Sequence, residues 1–237
     1  MKSNLKRDTG ERALAVMGNA RVYNEWLADL VRPFLKGHVL EVGAGVGNMS
    51  PFLYREGVDL TVCDVNENYL RKLKEVLKGK VRVARVDLAG GAKQLPLTKH
   101  DTVICFNVLE HVEDNNKALL NMKGWLKKGG RLLLLVPAHQ WLYSKLDERL
   151  GHFRRYTKSD LERSLSEVGF RKMEVEYVNW VGALGWLVFV KLGRAEEMPM
   201  VGVRRFNHLG VLFRLLVGLE KLMRFPFGLS VWAVAIK

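Results

Sequence analysis

Three glycines at alternate positions, Gly43, Gly45 and Gly47, are the residues whose type and spacing point most directly to chemistry. They follow a short apolar segment, residues 39–42, which predicts a buried strand, and a helix is expected to follow them. Because glycines carry no Cβ, the backbone of such a turn can approach a bound molecule closely, and the free N–H groups at a helix start attract negative charge. The segment therefore predicts a cradle for a nucleotide or a nucleotide-containing cofactor.

An acidic residue lies at the distance from this turn that ribose binding requires. The second predicted strand, residues 58–63, leads into Asp64, about 20 residues after the first glycine, where a carboxylate can accept both hydroxyls of a ribose. The glycine spacing is G-x-G-x-G followed by Asn48, and not the G-x-G-x-x-G of dinucleotide-binding turns. The pattern thus favours an adenosine-containing cofactor other than NAD.

The elements that must position these residues alternate along the chain. Amphipathic helical spacing predicts helices at 11–35, 66–78, 114–128 and 157–168, and further apolar segments predict strands at 81–86, 101–106, 131–136, 170–178 and 230–236. Strands that alternate with helices and are apolar on both faces are typical of a parallel sheet covered by helices. We expect an α/β fold.

Two stretches resemble the first two motifs of class I S-adenosylmethionine-dependent methyltransferases: Glu-Val-Gly-Ala-Gly-Val-Gly at 41–47 and Val-Cys-Asp-Val-Asn at 62–66. The resemblance covers residues 20–177. It implies a Rossmann-like, doubly wound, seven-stranded and mostly parallel sheet with an antiparallel last strand, and S-adenosyl-L-methionine as cofactor. It assigns cofactor binding to Glu41, Gly43, Ala44, Gly45, Gly47, Asp64, Val65, Asp87, Leu88 and Asn107. It also implies a helical lid at residues 1–36, with Tyr23 near the cofactor or packed on the sheet, ahead of a methyltransferase domain at 37–237.

The fourth predicted strand ends at a set of polar residues, Asn107, Glu110 and His111, which we expect at the mouth of the site because ligands of parallel sheets bind beyond the carboxyl ends of the strands. The segment resembles an Asn/Ser-x-Leu-x-His stretch of small-molecule and lipid methyltransferases. Methyl transfer from a sulfonium is an in-line displacement that needs no metal, so the sequence predicts none. His111 is the first candidate base and His139 the second, since imidazole titrates near neutral pH; a structural role for each stays open.

The segment 137–156 is rich in polar and aromatic residues and is expected to be a functional loop. Its end, Gly-His-Phe-Arg-Arg-Tyr, resembles a Gly-His-x-Arg-Arg-Tyr element of bacterial and archaeal methyltransferases found beside genes for surface glycans and lipids. Two adjacent arginines suit a carboxylate or phosphate, so the residues expected to bind the acceptor are Tyr143, His152, Arg154, Arg155 and Tyr156. The alternative is that an arginine pairs with Asp147 or Glu148 and fixes the loop.

Residues 179–228 separate the sixth and seventh predicted strands by far more than a hairpin needs, and we expect them to form a helical insertion. The insertion holds seven basic residues against three acidic ones, and residues 208–225 have the pattern of a basic amphipathic helix. This pattern fits an anionic membrane surface. Equally open are a cap over the substrate pocket and a homodimer contact.

The chain of 237 residues has a formal net charge of +13, which favours an anionic partner. Its only cysteines, Cys63 and Cys105, lie in apolar segments, so we expect no disulfide framework, no export signal, and a cytoplasmic protein that can associate with the inner membrane face. The favoured function is methyl transfer to a small or lipid-linked, amphiphilic or anionic acceptor. An RNA methyltransferase, which charge alone favours, and a non-catalytic cofactor-binding scaffold are the alternatives.

Overall fold

Seven strands form one sheet in the order β3-β2-β1-β4-β5-β7-β6 in the computed structural model, which describes residues 2–54, 57–90, 99–197, 207–223 and 225–237, without the side chains of 2–8 and 221–223. The strands are β1 (His38–Val42), β2 (Asp59–Asp64), β3 (Arg82–Arg85), β4 (His100–Phe106), β5 (Leu126–Pro137), β6 (Arg171–Val178) and β7 (Ser230–Ile236). The first five are parallel, and β7 pairs antiparallel with both β5 and β6. The predicted fold class is confirmed.

Helices cover both faces of the sheet. They are α1 (Lys2–Gly18), α2 (Arg21–Val31), α3 (Ser50–Tyr54), α4 (Glu67–Leu77), α5 (Asn115–Trp125), α6 (Lys145–Leu150), α7 (Lys158–Glu167), α8 (Trp180–Gly185), a π-helix (Trp186–Leu192) and α9 (Gly210–Met223). Successive residues of β5 enter two separate cores, Leu132 and Leu134 on the face covered by α5 and α7, Leu133 and Leu135 on the face covered by α2, α3 and α4. A strand buried on both faces explains the unbroken apolar sequence of β5.

The N-terminal segment forms two helices, where the sequence predicted one helical stretch at 11–35. The chain turns between α1 and α2 at Asn19 and Ala20, and the Asn24 side chain donates to the carbonyl of Met17 across the turn. Helix α1 packs against α6 as well as α2, which brings the start of the chain over the carboxyl ends of the strands.

The insertion between β6 and β7 contains α8, the π-helix and α9. Glu220 of α9 accepts hydrogen bonds from the backbone N–H groups of Asn179 and Trp180, at 3.0 Å each, and so ties α9 to the start of α8. Three of the predicted basic residues, Arg204, Arg205 and Arg224, lie outside the described residues. No helix in the described ranges is both long enough and apolar enough to span a bilayer.

Candidate functional site

A cavity of about 890 Å³ opens at the carboxyl ends of the parallel strands. Val42, Asp64, Phe106 and Pro137, the last residues of β1, β2, β4 and β5, all line it. Its volume is near the upper end of the range for small-molecule sites, which leaves room for a cofactor and an acceptor together. The predicted cofactor residues that line the cavity are Glu41, Gly43, Ala44, Gly45, Asp64, Val65, Asp87, Leu88, Asn107 and Tyr23.

The glycine turn adopts the left-handed backbone that glycine accepts without strain. Its φ angles are +70° at Gly43 and +56° at Gly45, and a Cβ on Gly43 would lie 2.2 Å from Val108 Cγ2. A Cβ on Gly45 would lie 3.2 Å from Leu14 Cδ2 of α1. Glycine is therefore required here by the packing of the protein itself, in addition to any ligand.

Gly47 does not line the cavity, and its assignment to cofactor binding stays a prediction. Its φ is +89°, and a Cβ there would lie 3.1 Å from Leu73 Cδ2 of α4. Gly47 thus lets the chain turn beneath the site toward α3, which begins three residues later at Ser50.

Two buried carboxylates flank the glycine turn. The oxygens of Asp64 accept hydrogen bonds from the backbone N–H groups of Gly45 (2.9 Å) and Asn66 (2.8 Å), and each oxygen keeps a lone pair for a hydroxyl. Burial raises the pKa of Asp64, although these bonds oppose the shift. Burial also raises the pKa of Glu41 to about 7, against a 2.6 Å hydrogen bond donated by Ser50 Oγ.

A second polar group lines the same cavity, formed by Glu110, His111, His152 and Arg155. Glu110 is fully buried, and neither of its carboxylate oxygens has a hydrogen-bond partner among the described residues. The nearby nitrogen His152 Nε2 is 4.0 Å from Glu110 Oε1, beyond hydrogen-bonding distance. Burial raises the pKa of Glu110 to about 7, with the charge of His152 opposing the shift.

Asp147 fixes the orientation of this group. Its carboxylate accepts from Arg155 Nε (2.8 Å) and Nη2 (3.1 Å) and lies 2.9 Å from His152 Nδ1. Burial alone would raise the pKa of Asp147, but the His152 hydrogen bond and the Arg155 charge outweigh it and leave that pKa below its ordinary value. Arg155 also stacks on Trp186 of the insertion, with its guanidinium carbon 4.5 Å from the ring centroid. The pairing of an arginine with Asp147 was one of the two sequence-based alternatives; Arg155 makes this pair and still lines the cavity.

Three residues of the predicted acceptor set do not line the cavity, because each is bonded elsewhere in the loop or its neighbours. Arg154 donates to Asn115 Oδ1 (3.0 Å) and to the carbonyl of Glu113 (2.7 Å), at the start of α5. The hydroxyl of Tyr156 donates to the carbonyl of Leu109 (3.4 Å), and that of Tyr143 to the carbonyl of His152 (2.8 Å). These three side chains anchor the loop around the site.

The two candidate bases have different surroundings. His139 lies outside the cavity lining, where its ring stacks on Tyr177 of β6 with centroids 4.4 Å apart, and its assignment as a base stays a prediction. His111 lines the cavity, but desolvation inside the cavity and the neighbouring His152 lower its pKa to about 4, which makes it a weak base at neutral pH. Glu110, expected at the mouth but given no role, has the pKa better matched to that task.

Some residues that line the cavity were not predicted from sequence motifs. Leu14 and Met17 of α1 line it, as do Asn179 and Trp186 of the insertion. No local pattern marks these residues, because each lies in an ordinary apolar or helical stretch and reaches the cavity only through the tertiary fold.

Comparison with known proteins is consistent with this geometry. A family model described as "Methyltransferase domain" matches residues 18–175. The ubiquinone biosynthesis O-methyltransferase of Coxiella burnetii is 32% identical over 165 residues, which cover 62% of this chain and 69% of that protein. The mitochondrial enzyme of the same name from Schizosaccharomyces pombe is 30% identical over 136 residues, which cover 54% of this chain and 48% of that protein, so the match spans about half of its length.

Solved structures share the fold at low sequence identity. A SAM-dependent methyltransferase from Archaeoglobus fulgidus superposes with a TM-score of 0.59 at 21% identity and covers 90% of this chain and 94% of its own. Phosphoethanolamine N-methyltransferase 2 of Haemonchus contortus, solved with S-adenosylhomocysteine, gives a TM-score of 0.64 at 18% identity over 100% of this chain and 60% of its own.

Proposed function

Because the chain belongs to the methyltransferase-domain family and is a class I S-adenosylmethionine-dependent methyltransferase, we propose that it methylates an oxygen of an amphiphilic small molecule gathered from a membrane surface. The predicted cofactor is confirmed, and family membership favours an enzyme over a non-catalytic scaffold. The choice of oxygen draws on the two relatives above, both named as O-methyltransferases.

The glycine turn and Asp64 suit the adenosine part of the cofactor. Asp64 has free lone pairs in the cavity for the two ribose hydroxyls, and Asp87 and Leu88 line the cavity just beyond β3, where the adenine would lie. When bound, S-adenosylmethionine supplies a methyl group on a positively charged sulfur. The protein's remaining task is to place the acceptor in line with that methyl group and to remove a proton from it.

The group formed by Glu110, His111, His152 and Arg155 is the part of the cavity suited to the acceptor's reacting end. It lies away from the glycine turn in sequence yet shares one cavity with it. Glu110 has a pKa of about 7 and no hydrogen-bond partner among the described residues, so it is available to a hydroxyl. Asp147 holds His152 in place beside it.

The proposal of an amphiphilic acceptor rests on one wall of the cavity, the π-helix, which is also exposed on the outside of the protein. Trp186 of the π-helix lines the cavity, while Phe189 and Leu192 of the same helix are 68% and 69% exposed on the outside. The exposed large apolar residues of the insertion are Leu184, Val188, Phe189, Leu192, Leu209, Val211, Leu212, Leu215 and Leu219. We call these nine residues the apolar face; such a concentration on one substructure is typical of an interaction site.

Charge supports an anionic membrane as the partner of the apolar face. The chain carries a net charge of +13; Lys191 lies on the π-helix and Arg194 two residues after its end. Anionic lipids of the cytoplasmic leaflet attract such residues by about 1 kcal/mol each near the surface. The proposed location is thus the cytoplasmic side of a membrane, with the protein bound peripherally.

The test uses vesicles of phosphatidylcholine with and without phosphatidylglycerol. We expect the protein to co-sediment with the anionic vesicles and the double variant Phe189→Asp, Leu192→Asp to remain in the supernatant. Leu120→Asp is the matched control, because Leu120 is 53% exposed on α5, away from the insertion, and its change should leave sedimentation unaltered. Sedimentation of the double variant at the wild-type level would contradict the membrane part of the proposal.

A second assay identifies the acceptor class. The protein is incubated with S-adenosylmethionine carrying a labelled methyl group and with separated lipid, small-molecule and RNA fractions. Label should enter the lipid or the apolar small-molecule fraction. Label confined to RNA, together with binding of bulk tRNA that persists at high salt, would replace this proposal with an RNA methyltransferase, since purely electrostatic binding fades under those conditions. A concentration-dependent dimer that the double variant abolishes, without vesicle binding, would reassign the apolar face to a homodimer contact.

A further inference from the structure

The acceptor end of the cavity contains a buried carboxylate that the rest of the protein leaves unsatisfied. Glu110 is 0% exposed, and its two oxygens have no hydrogen-bond donor within the described part of the chain. A buried carboxylate without hydrogen bonds is costly and rare in native proteins. Because Glu110 lines a ligand cavity, we expect a ligand with a positive charge or a hydrogen-bond donor to bind beside it.

Two imidazoles stand around the same carboxylate. Glu110, His111 and His152 each offer one ligand atom, and these atoms all lie within 4.8 Å of one another. Ligand atoms bound tetrahedrally at about 2.0–2.2 Å from a metal are about 3.4 Å apart. Modest rotations of the three side chains would bring their ligand atoms to this spacing. Two imidazoles and one carboxylate suit a divalent first-row transition metal and leave coordination positions open for a substrate.

The outer nitrogen of the His152 ring is occupied in the way that metal-binding histidines require. His152 Nδ1 lies 2.9 Å from Asp147 Oδ1, which leaves Nε2 directed to the Glu110 side. A carboxylate behind the ring fixes its orientation and the nitrogen that it presents.

Asp147 is itself held in place, so the support of His152 is rigid. Arg155 binds both of its oxygens, and the Ser144 N–H and hydroxyl donate to Oδ2 at 2.9 Å each. The Gly-His-Phe-Arg-Arg-Tyr loop therefore supplies one ligand, His152, and the residue that orients its support, Arg155. The sequence predicted direct anion binding by this loop and no metal.

We infer that Glu110, His111 and His152 form a binding site for a divalent transition-metal ion at the acceptor end of the cavity, with Asp147 as a positioning residue. The role of the ion rests on the proposed function: it would hold the acceptor hydroxyl oxygen and lower the pKa of that hydroxyl. With Glu110 bound to the ion, Glu110 is a ligand and not the base: the hydroxyl proton is released to water, the oxygen forms a bond to the methyl carbon, and the bond between that carbon and sulfur breaks.

The test measures metal binding without any acceptor. Protein stripped with EDTA is titrated with Zn²⁺ by calorimetry and with Co²⁺ by visible absorption. We expect one ion per chain, with a Co²⁺ spectrum that lacks thiolate charge-transfer absorption because neither cysteine is among the three ligands. His208→Ala is the matched control, since His208 is exposed in the insertion, and it should bind Zn²⁺ as the wild type does.

Glu110→Gln and His152→Ala should each weaken Zn²⁺ binding at least tenfold. Glu110→Gln is informative because it keeps the shape of the side chain and removes a buried charge, so folding should not suffer; retained S-adenosylhomocysteine binding verifies this. A wild-type protein that binds no stoichiometric Zn²⁺, or a Glu110→Gln variant with wild-type Zn²⁺ affinity, overturns the site.

Methyl transfer is then assayed separately before and after EDTA treatment. Metal binding with no transfer to any fraction would refute the proposed function and leave the metal site standing. Transfer at an unchanged rate in EDTA-treated protein would refute the role of the ion in the reaction.

Discussion

Asp64 is the residue on which we expect cofactor affinity to depend most. It is buried at the end of β2, it accepts two backbone hydrogen bonds, and it still offers lone pairs to the cavity. A neutral, hydrogen-bonded turn could shape the pocket, but only a carboxylate accepts two hydroxyls at once at this point.

We predict that Asp64→Ala weakens S-adenosylhomocysteine binding by roughly 100-fold or more, because two hydrogen bonds to a charged group are lost and each contributes about 1.5–3 kcal/mol. Isothermal titration calorimetry measures the change. Glu67→Ala, at an exposed site one turn further along the chain, is the control and should bind normally. Equal affinity in the wild type and Asp64→Ala would remove Asp64 from the site.

The glycine turn shows how an element can be specified by both ligand and packing. Gly43 has a φ of +70°, and its missing Cβ leaves the space that Val108, just after β4, occupies. Gly57 has nearly the same φ, +71°, with no atom within 4 Å of a Cβ added there. Alanine substitutions at Gly43 and Gly57 therefore separate the cost of backbone strain from the cost of steric overlap.

Gly43→Ala should lower the free energy of unfolding by about 1–3 kcal/mol more than Gly57→Ala, since overpacking adds to the strain that both share. It should also displace the turn and reduce S-adenosylhomocysteine affinity at least tenfold, whereas Gly57→Ala should leave that affinity unchanged. Denaturant unfolding and calorimetry measure the two effects. Equal destabilisation of the two variants would show that the Val108 side chain moves aside at no cost in free energy.

For the whole molecule, the buried Glu41 makes stability depend on pH. Its pKa is about 7 in the folded protein, above the value of about 4.3 expected in the unfolded chain. Between these values the folded state binds more protons than the unfolded state, so this residue's contribution to stability is present in full below about pH 4.3 and is lost as the pH rises through about 7.

With Glu41→Gln, the free energy of unfolding should accordingly fall less as the pH rises. In cofactor-free protein treated with EDTA, we expect the variant to match the wild type near pH 4.5 and to exceed it at pH 8 by up to about 3 kcal/mol in the free energy of unfolding. Ser50 can still donate to the amide oxygen of the new side chain, so the hydrogen bond is kept. A constant difference between the two proteins over this pH range would mean that folding does not raise the pKa of Glu41.

Local sequence pattern was enough to establish several parts of this protein. The β7 strand at Ser230–Ile236 has the predicted bounds, and the α4 helix lies within one residue of them, because apolar periodicity and caps such as Asn66 act over a few residues. The glycine spacing with Asp64 was sufficient for an adenosine-containing cofactor, and the resemblance of residues 41–47 and 62–66 to known motifs for the family. These motifs carry their chemistry within two neighbouring strands and the turns that follow them.

The chemistry of the acceptor end, in contrast, emerged only from the folded chain. Folding buried Glu110, paired Arg155 with Asp147 in place of a ligand, and brought Trp186 from the insertion to the cavity wall. It also left His139 and Gly47 outside the cavity lining. The physical reason is that burial, pKa and metal-ligand geometry depend on distances between residues far apart in the chain, which no local spacing encodes.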